Sequence, residues 1–125
     1  MLSNSLTLHS ETDMEKVRDI IIYKDYFQKF YVGQTADVRR KINYVLNIIA
    51  TQQRVPVKFL RIIENGEGLY EVRVEYGSNI YRIFCCFDGG KLVVLFNGFQ
   101  KKTQKTPKDE ISRAKRIMKE YFNEK

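Results

Sequence analysis

Residues 69–107, LYEVRVEYGSNIYRIFCCFDGGKLVVLFNGFQKKTQKTP, decide the fold. They read as three short strands joined by two tight turns. A basic strip, Gln100–Lys105, follows, and Thr106-Pro107-Lys108-Asp109 opens a helix with Thr106 as cap and Pro107 in the first helical position.

Centring the first turn on Ser78-Asn79 sets Tyr76 opposite Tyr81, Val74 opposite Ile83, Glu75 opposite Arg82 and Arg73 opposite Phe84. Placing the second turn at Gly89-Gly90 sets Ile83 opposite Phe96, Cys85 opposite Val94 and Arg82 opposite Asn97. Side chains alternate across a strand, so the meander acquires two unlike faces. One carries Val72, Val74, Tyr76, Tyr81, Ile83, Cys85, Phe87, Leu92, Val94 and Phe96 and is expected to pack against helices. The other carries Glu71, Arg73, Glu75, Arg82, Phe84, Cys86, Val93, Leu95, Asn97 and Phe99. It is an apolar floor bearing two arginines, two glutamates and an amide.

Upstream, the β-branched run Ile20-Ile21-Ile22 within Val17–Tyr23 suits a buried strand. Tyr26, Phe27, Phe30 and Tyr31 share one face of a short helix that Gly33 stops. Thr35 caps a second helix with the stripe Val38, Ile42, Val45, Leu46 and Ile49. Pro56 ends that segment, and Lys58–Glu64 is a strand or the lead-in to one, closed by the turn Asn65–Gly68. Ile111, Ala114, Ile117, Met118, Tyr121 and Phe122 form the stripe of the last helix. The order is β-α-α-(β)-β-β-β-α, an α+β protein whose antiparallel-rich sheet combines a three-strand C-terminal meander with an N-terminal strand, two N-terminal helices and a C-terminal helix, with the helices expected on one face. Residues 1–15 are expected to be a flexible arm and 16–125 a single domain.

The 125 residues carry 22 Lys+Arg against 15 Asp+Glu, a formal charge of +7. That excess points to an anionic partner, nucleic acid among them. The basic side chains concentrate in the second helix, where Arg39 and Arg40 follow the cap, and in residues 101–125. Cys85 and Cys86 are adjacent on a strand and point to opposite faces, so they make a poor disulfide and supply no zinc site. With one histidine, His9, in the arm, no metal site or cofactor is expected. No apolar h-region opens the chain and no run is long enough to span a membrane, so a cytoplasmic location is expected. No phosphate-binding glycine loop, Rossmann pattern or Ser-His-Asp set occurs. What remains is Arg73 and Arg82 on one sheet face, leading into Lys101 and Lys102. Guanidinium groups take phosphate bidentately and clustered cations stabilise a phosphoryl transition state. The same residues would also satisfy two ordinary surface ion pairs, Arg82 with Glu75 and Arg73 with Glu71 or Glu75.

GLYEVRVEYGSNIYRIFCCFDGGKLVVLFNGFQKKTQKTP and the final helix ISRAKRIMKEYF resemble the RelE/ParE superfamily of bacterial toxins, in its HigB-like and phage-derived branch. Gly68, Leu69, Tyr70, Glu71, Arg73, Tyr81, Arg82, Phe99, Lys101, Lys102, Thr103, Lys105, Thr106 and Pro107 match the pattern in order, and the likeness spans residues 17–122. The resemblance implies a RelE-like fold and the toxin of a type II toxin–antitoxin system, a ribosome-dependent mRNA interferase that enters the ribosomal A site and inhibits translation. Its partners would be the ribosome, mRNA and a helix-turn-helix antitoxin, with no membrane and no cofactor. Arg73 and Arg82 would hold the scissile phosphate, and Lys101 and Lys102 would neutralise charge or hold the RNA backbone. Arg39, Arg40, Thr103 and Lys105 would add RNA contacts. The adjacent ribose 2′-hydroxyl would attack phosphorus, leaving a cyclic phosphate without a metal. Some members place a Tyr or His after the last strand as acid or base; here Gln100–Lys105 holds neither, which leaves Tyr70, Tyr81, Glu71 or a lysine of depressed pKa for proton transfer, or leaves more of the rate to positioning by the ribosome. Tyr81 is expected to face the core, which favours Tyr70 and Glu71. A ParE-like inhibitor of gyrase and a non-catalytic nucleic-acid-binding phage protein are the alternatives, and the paired lysines and sheet arginines favour the nuclease.

Overall fold

The meander forms the centre of a five-stranded sheet in the computed structural model, which describes residues 15–125. The elements are β1 (Asp19–Ile22), α1 (Tyr26–Val32), α2 (Ala36–Thr51), β2 (Leu60–Ile62), β3 (Tyr70–Tyr76), β4 (Asn79–Asp88), β5 (Leu92–Lys101) and α3 (Lys108–Glu124). The sheet order is β1-β5-β4-β3-β2, with β1 parallel to β5 and the other pairs antiparallel. The α+β class and the element order agree with the sequence, and Lys58–Glu64 does contain a strand, β2. The expected arm, with His9, lies outside the described residues apart from Glu15. No helix among the described residues is long and apolar enough to cross a membrane.

Several expectations need correction. First, the β3–β4 turn is Gly77-Ser78, not Ser78-Asn79, because Tyr76 pairs with Asn79 and Gly77 adopts φ 63°. A two-residue turn favours a glycine at such a positive φ. The register therefore shifts by two: Val74 meets Tyr81, Val72 meets Ile83 and Arg73 meets Arg82. A shift of two preserves which side chains share a face, so the faces of β3 and β4 stand.

Second, β5 is turned over along its first half. The β4–β5 loop spans three residues, Gly89 to Lys91, because Asp88 pairs with Leu92. Cys85 then meets Leu95, not Val94. Val93 and Leu95 join the core beneath α1 and α2, while Val94 and Phe96 take the other face. A bulge follows: two residues of β5, Phe96 and Asn97, lie opposite Phe84 alone. It reverses the parity again, so Ile83 pairs with Gly98, Arg82 with Phe99 and Ile80 with Lys101.

Third, the helices cover both faces. α2 lays Val38, Ile42, Val45, Leu46 and Ile49 on Val72, Val74, Ile83 and Cys85. α3 lays Ala114, Ile117 and Met118 on Phe84, Cys86, Val94 and Phe96. Cys85 and Cys86 are consequently buried in different cores, and burial pushes the Cys86 thiol up to about 12. Phe122, expected in the stripe, is exposed. Thr106 makes no cap: Pro107 holds the N-cap position, without a side-chain cap bond, and α3 starts at Lys108.

Polar contacts tie the helices down. The last carbonyls of α2 have no basic residue of their own helix nearby. Arg18 supplies one, donating from Nη1 to the carbonyls of Ile49 and Gln52 (3.0 and 2.6 Å) and from Nη2 to Gln53 (2.8 Å), where a cation complements the helix dipole. On α3, Tyr121 donates to Asp88 (2.7 Å), Lys125 pairs with the same carboxylate, and Lys24 pairs with Glu120 and Glu124.

Gly98 permits the close seating of α1. A Cβ there would meet the Phe30 ring at 2.6 Å, and the ring is wedged against Tyr81 and Phe27. Gly98→Ala is expected to cost about 1–3 kcal/mol in urea unfolding, and Phe30→Ala in the same chain to cost less than it does in the parent, since the two changes share one space.

Candidate functional site

The bulge in β5 delivers Phe99 and Lys101 to the face that carries Arg82. Beyond the part of that face covered by α3, the strand register assembles one patch. Arg61 on β2 is opposite Glu71 on β3; Arg73 on β3 is opposite Arg82 on β4; Arg82 is opposite Phe99 on β5, and Lys101 stands next along β5 opposite Ile80. Directly opposed residues on one face have Cβ atoms about 5 Å apart, which sets Arg61 beside Glu71 and Arg73 beside Arg82, and Glu71 acts on the charge of Lys101 as well.

Glu71 is the hub. It is buried, and its Oε2 lies 3.6 Å from Nε of both Arg73 and Arg82. Its Oε1 accepts from the Thr106 hydroxyl at 3.3 Å, which is where the expected helix cap goes instead. Both guanidinium distances exceed a hydrogen bond, so the carboxylate neutralises the arginines without being locked to either. Arg82 is only 2 % exposed. Its Nη1 donates to its own strand's Tyr81 carbonyl at 3.1 Å, and its buried Nε has no hydrogen-bond partner. A buried donor left unsatisfied costs about 1–3 kcal/mol. Arg73 is more open, its side chain 23 % exposed, with Nη1 donating to the Val57 carbonyl at 3.4 Å.

The electrostatics follow from this crowding. Burial lowers the Arg82 pKa, Glu71 opposes that, and Arg73 and Arg61 add to it; the guanidinium stays charged at neutral pH all the same. Burial also lowers the Lys101 pKa, and repulsion from Arg82, Arg73 and Arg61 adds to the effect against the pull of Glu71. Lys101 makes no ion pair among the described residues. Cations outnumber carboxylates here, and the more exposed ones face solvent, so the patch suits an oxyanion such as phosphate. Among the described residues no cluster of three His, Cys, Asp or Glu side chains could hold a metal ion.

The structure thus brings Glu71, Arg73, Arg82 and Lys101 together and places the other six sequence candidates elsewhere. Tyr70 faces the opposite core, its ring against Phe87 at 5.1 Å. Lys102, Thr103 and Lys105 follow in the exposed segment after β5, where the Thr103 hydroxyl donates to the Lys105 carbonyl at 2.7 Å. Arg39 and Arg40 sit on α2, across the sheet; Arg39 donates to the Gln34 carbonyl and Arg40 pairs with Asp37. The expected Arg82–Glu75 pair does not form, because Glu75 lies opposite Ile80. Arg61 and Thr106 are members that sequence reasoning missed. Pairing KFLRIIE with LYEVR as a hairpin across Asn65–Gly68 would have set Arg61 opposite Val72; the loop instead takes in Glu64 as well, which moves Arg61 opposite Glu71.

No curated protein matches the chain. The family model described as phage derived protein Gp49-like (DUF891) matches residues 29–119, which runs from within α1 to within α3 and includes the whole cationic patch. The chain therefore belongs to the Gp49-like family of phage-derived proteins, a RelE-like toxin family of toxin–antitoxin systems.

Proposed function

We propose that this protein is the toxin of a type II toxin–antitoxin pair and acts as a ribosome-dependent mRNA endoribonuclease. The observation that carries the reading is the convergence of Arg73, Arg82 and Lys101 around Glu71 on one sheet face. The scissile phosphate enters beside Arg73 and Lys101 and takes the place of the loosely held Glu71 carboxylate against the two guanidinium groups. Arg82, beneath the surface, adds its charge through a medium of low dielectric, where it counts for more than in water.

In-line attack by the adjacent ribose 2′-oxygen forms a new P–O bond as the P–O5′ bond breaks, leaving a 2′,3′-cyclic phosphate and a 5′-hydroxyl. Glu71, freed from the arginines, accepts the 2′-hydroxyl proton. Lys101, whose environment eases proton loss, donates to the departing 5′-oxygen. The dependence on a 2′-hydroxyl makes DNA a non-substrate. The ribosome supplies the mRNA in an aligned, extended state, which is where much of the rate would originate. A helix-turn-helix antitoxin is the neutralising partner, and the cytoplasm, where translating ribosomes lie, is the site of action.

Arg73→Ala is expected to restore amino-acid incorporation in cells expressing the protein, with thymidine incorporation unaffected by either form and the unfolding midpoint near that of the parent. Loss of thymidine incorporation with translation intact would instead mean a replication target such as gyrase. The single-turnover cleavage rate on programmed ribosomes should fall as pH rises through the depressed Lys101 pKa, below the ordinary lysine value of about 10.4. Lys101→Arg keeps the charge but cannot give up a proton in that range, so it should lose about 100-fold or more in rate and with it the alkaline limb. A parent profile identical in shape to that of Lys101→Arg would remove Lys101 from the proton transfer.

A further inference from the structure

We propose that Arg61 and the exposed end of the β2–β3 edge form a second phosphate subsite, which takes the phosphate next to the reacting one in a single-stranded RNA. The inference rests on the reading of the patch as an RNA-cleaving site. Arg61 is exposed, on an edge strand of three residues, and its register partner is Glu71. That partner is already engaged, since its carboxylate faces Arg73, Arg82 and Thr106. Arg61 accordingly makes no ion pair among the described residues. Even so it is near enough to act on the charge of both Arg82 and Lys101.

Adjacent strands are about 4.8 Å apart, so β2 stands about 10 Å from β4. That is too far for Arg61 to share a phosphate held over Arg82 and Lys101 except at full reach, and it suits the next phosphate of an extended strand crossing the sheet from β5 toward β2. Arg73, on β3 between them, can bridge the two. A guanidinium with no carboxylate of its own among the described residues, at the rim of a cationic patch, provides the donors such a phosphate needs. A guanidinium that takes a phosphate gives grip and register, not sequence choice.

The test is fluorescence anisotropy with a short 2′-O-methyl RNA oligonucleotide, which cannot be cleaved, titrated at several salt concentrations. Arg61→Ala is expected to weaken binding several-fold and to make the slope of log K against log salt shallower by about 0.7, the value for one phosphate on a single strand. Arg54→Ala, which removes another exposed cation from the loop after α2, should change neither. Saturable binding by the parent with Arg61→Ala indistinguishable from Arg54→Ala would overturn the subsite and leave the cleavage reading standing. No saturable binding by the parent at low salt would also overturn the subsite, whereas the cleavage reading stands or falls separately on amino-acid incorporation and on mRNA cleavage on programmed ribosomes.

Discussion

Like charges on neighbouring strands repel, and a guanidinium taken out of water is costly unless something opposes its charge. Glu71 opposes it for Arg73 and Arg82 at once, at 3.6 Å from each. That carboxylate, fixed on its other oxygen by Thr106, is what allows Arg82 to sit nearly closed to solvent inside the sheet while remaining cationic. The cost appears in the unpartnered Arg82 Nε.

The β5 bulge decides what the Arg82 face contains. Without the extra residue at Phe96-Asn97, a strand that gives Val94 and Phe96 to α3 would turn Phe99 and Lys101 toward α1 and α2. With it, one strand serves both ends: its first half helps bury α3, and its second half places Lys101 beside Arg82. Gly98, next after the bulge, lets Phe30 press against the strand from the other side. Packing and site geometry therefore share the same three residues.

Much of this was legible in the chain. Hydrophobic periodicity located each of the three helices among the described residues, and the parity of β3 and β4 survived a turn misplaced by one position, because the resulting slip was two residues. The same reasoning failed on β5. A three-residue loop replaced the expected Gly89-Gly90 turn, and Leu92–Phe96 is apolar at every position, so no polar residue betrayed the flip. That unbroken apolar run was itself the sign of a strand buried on both faces, from which helices on both sides could have been inferred. Arg61 stayed hidden because its significance depends on hairpin register, and Thr106 because a hydroxyl ahead of a proline reads as a cap. Tyr70 fell on the wrong side by simple alternation from Glu71, which two-sided strand parity alone would have shown.

The central claim is that cations of this chain promote internal attack by the ribose 2′-hydroxyl on mRNA in the ribosome. Mass spectrometry of the fragment ends from mRNA cut in a translating extract tests it most directly. Cleavage by this route leaves 2′,3′-cyclic phosphate and 5′-hydroxyl ends, absent when the protein carries Arg73→Ala. Fragments ending in 3′-hydroxyl and 5′-phosphate, or mRNA left whole while translation stops, would contradict it.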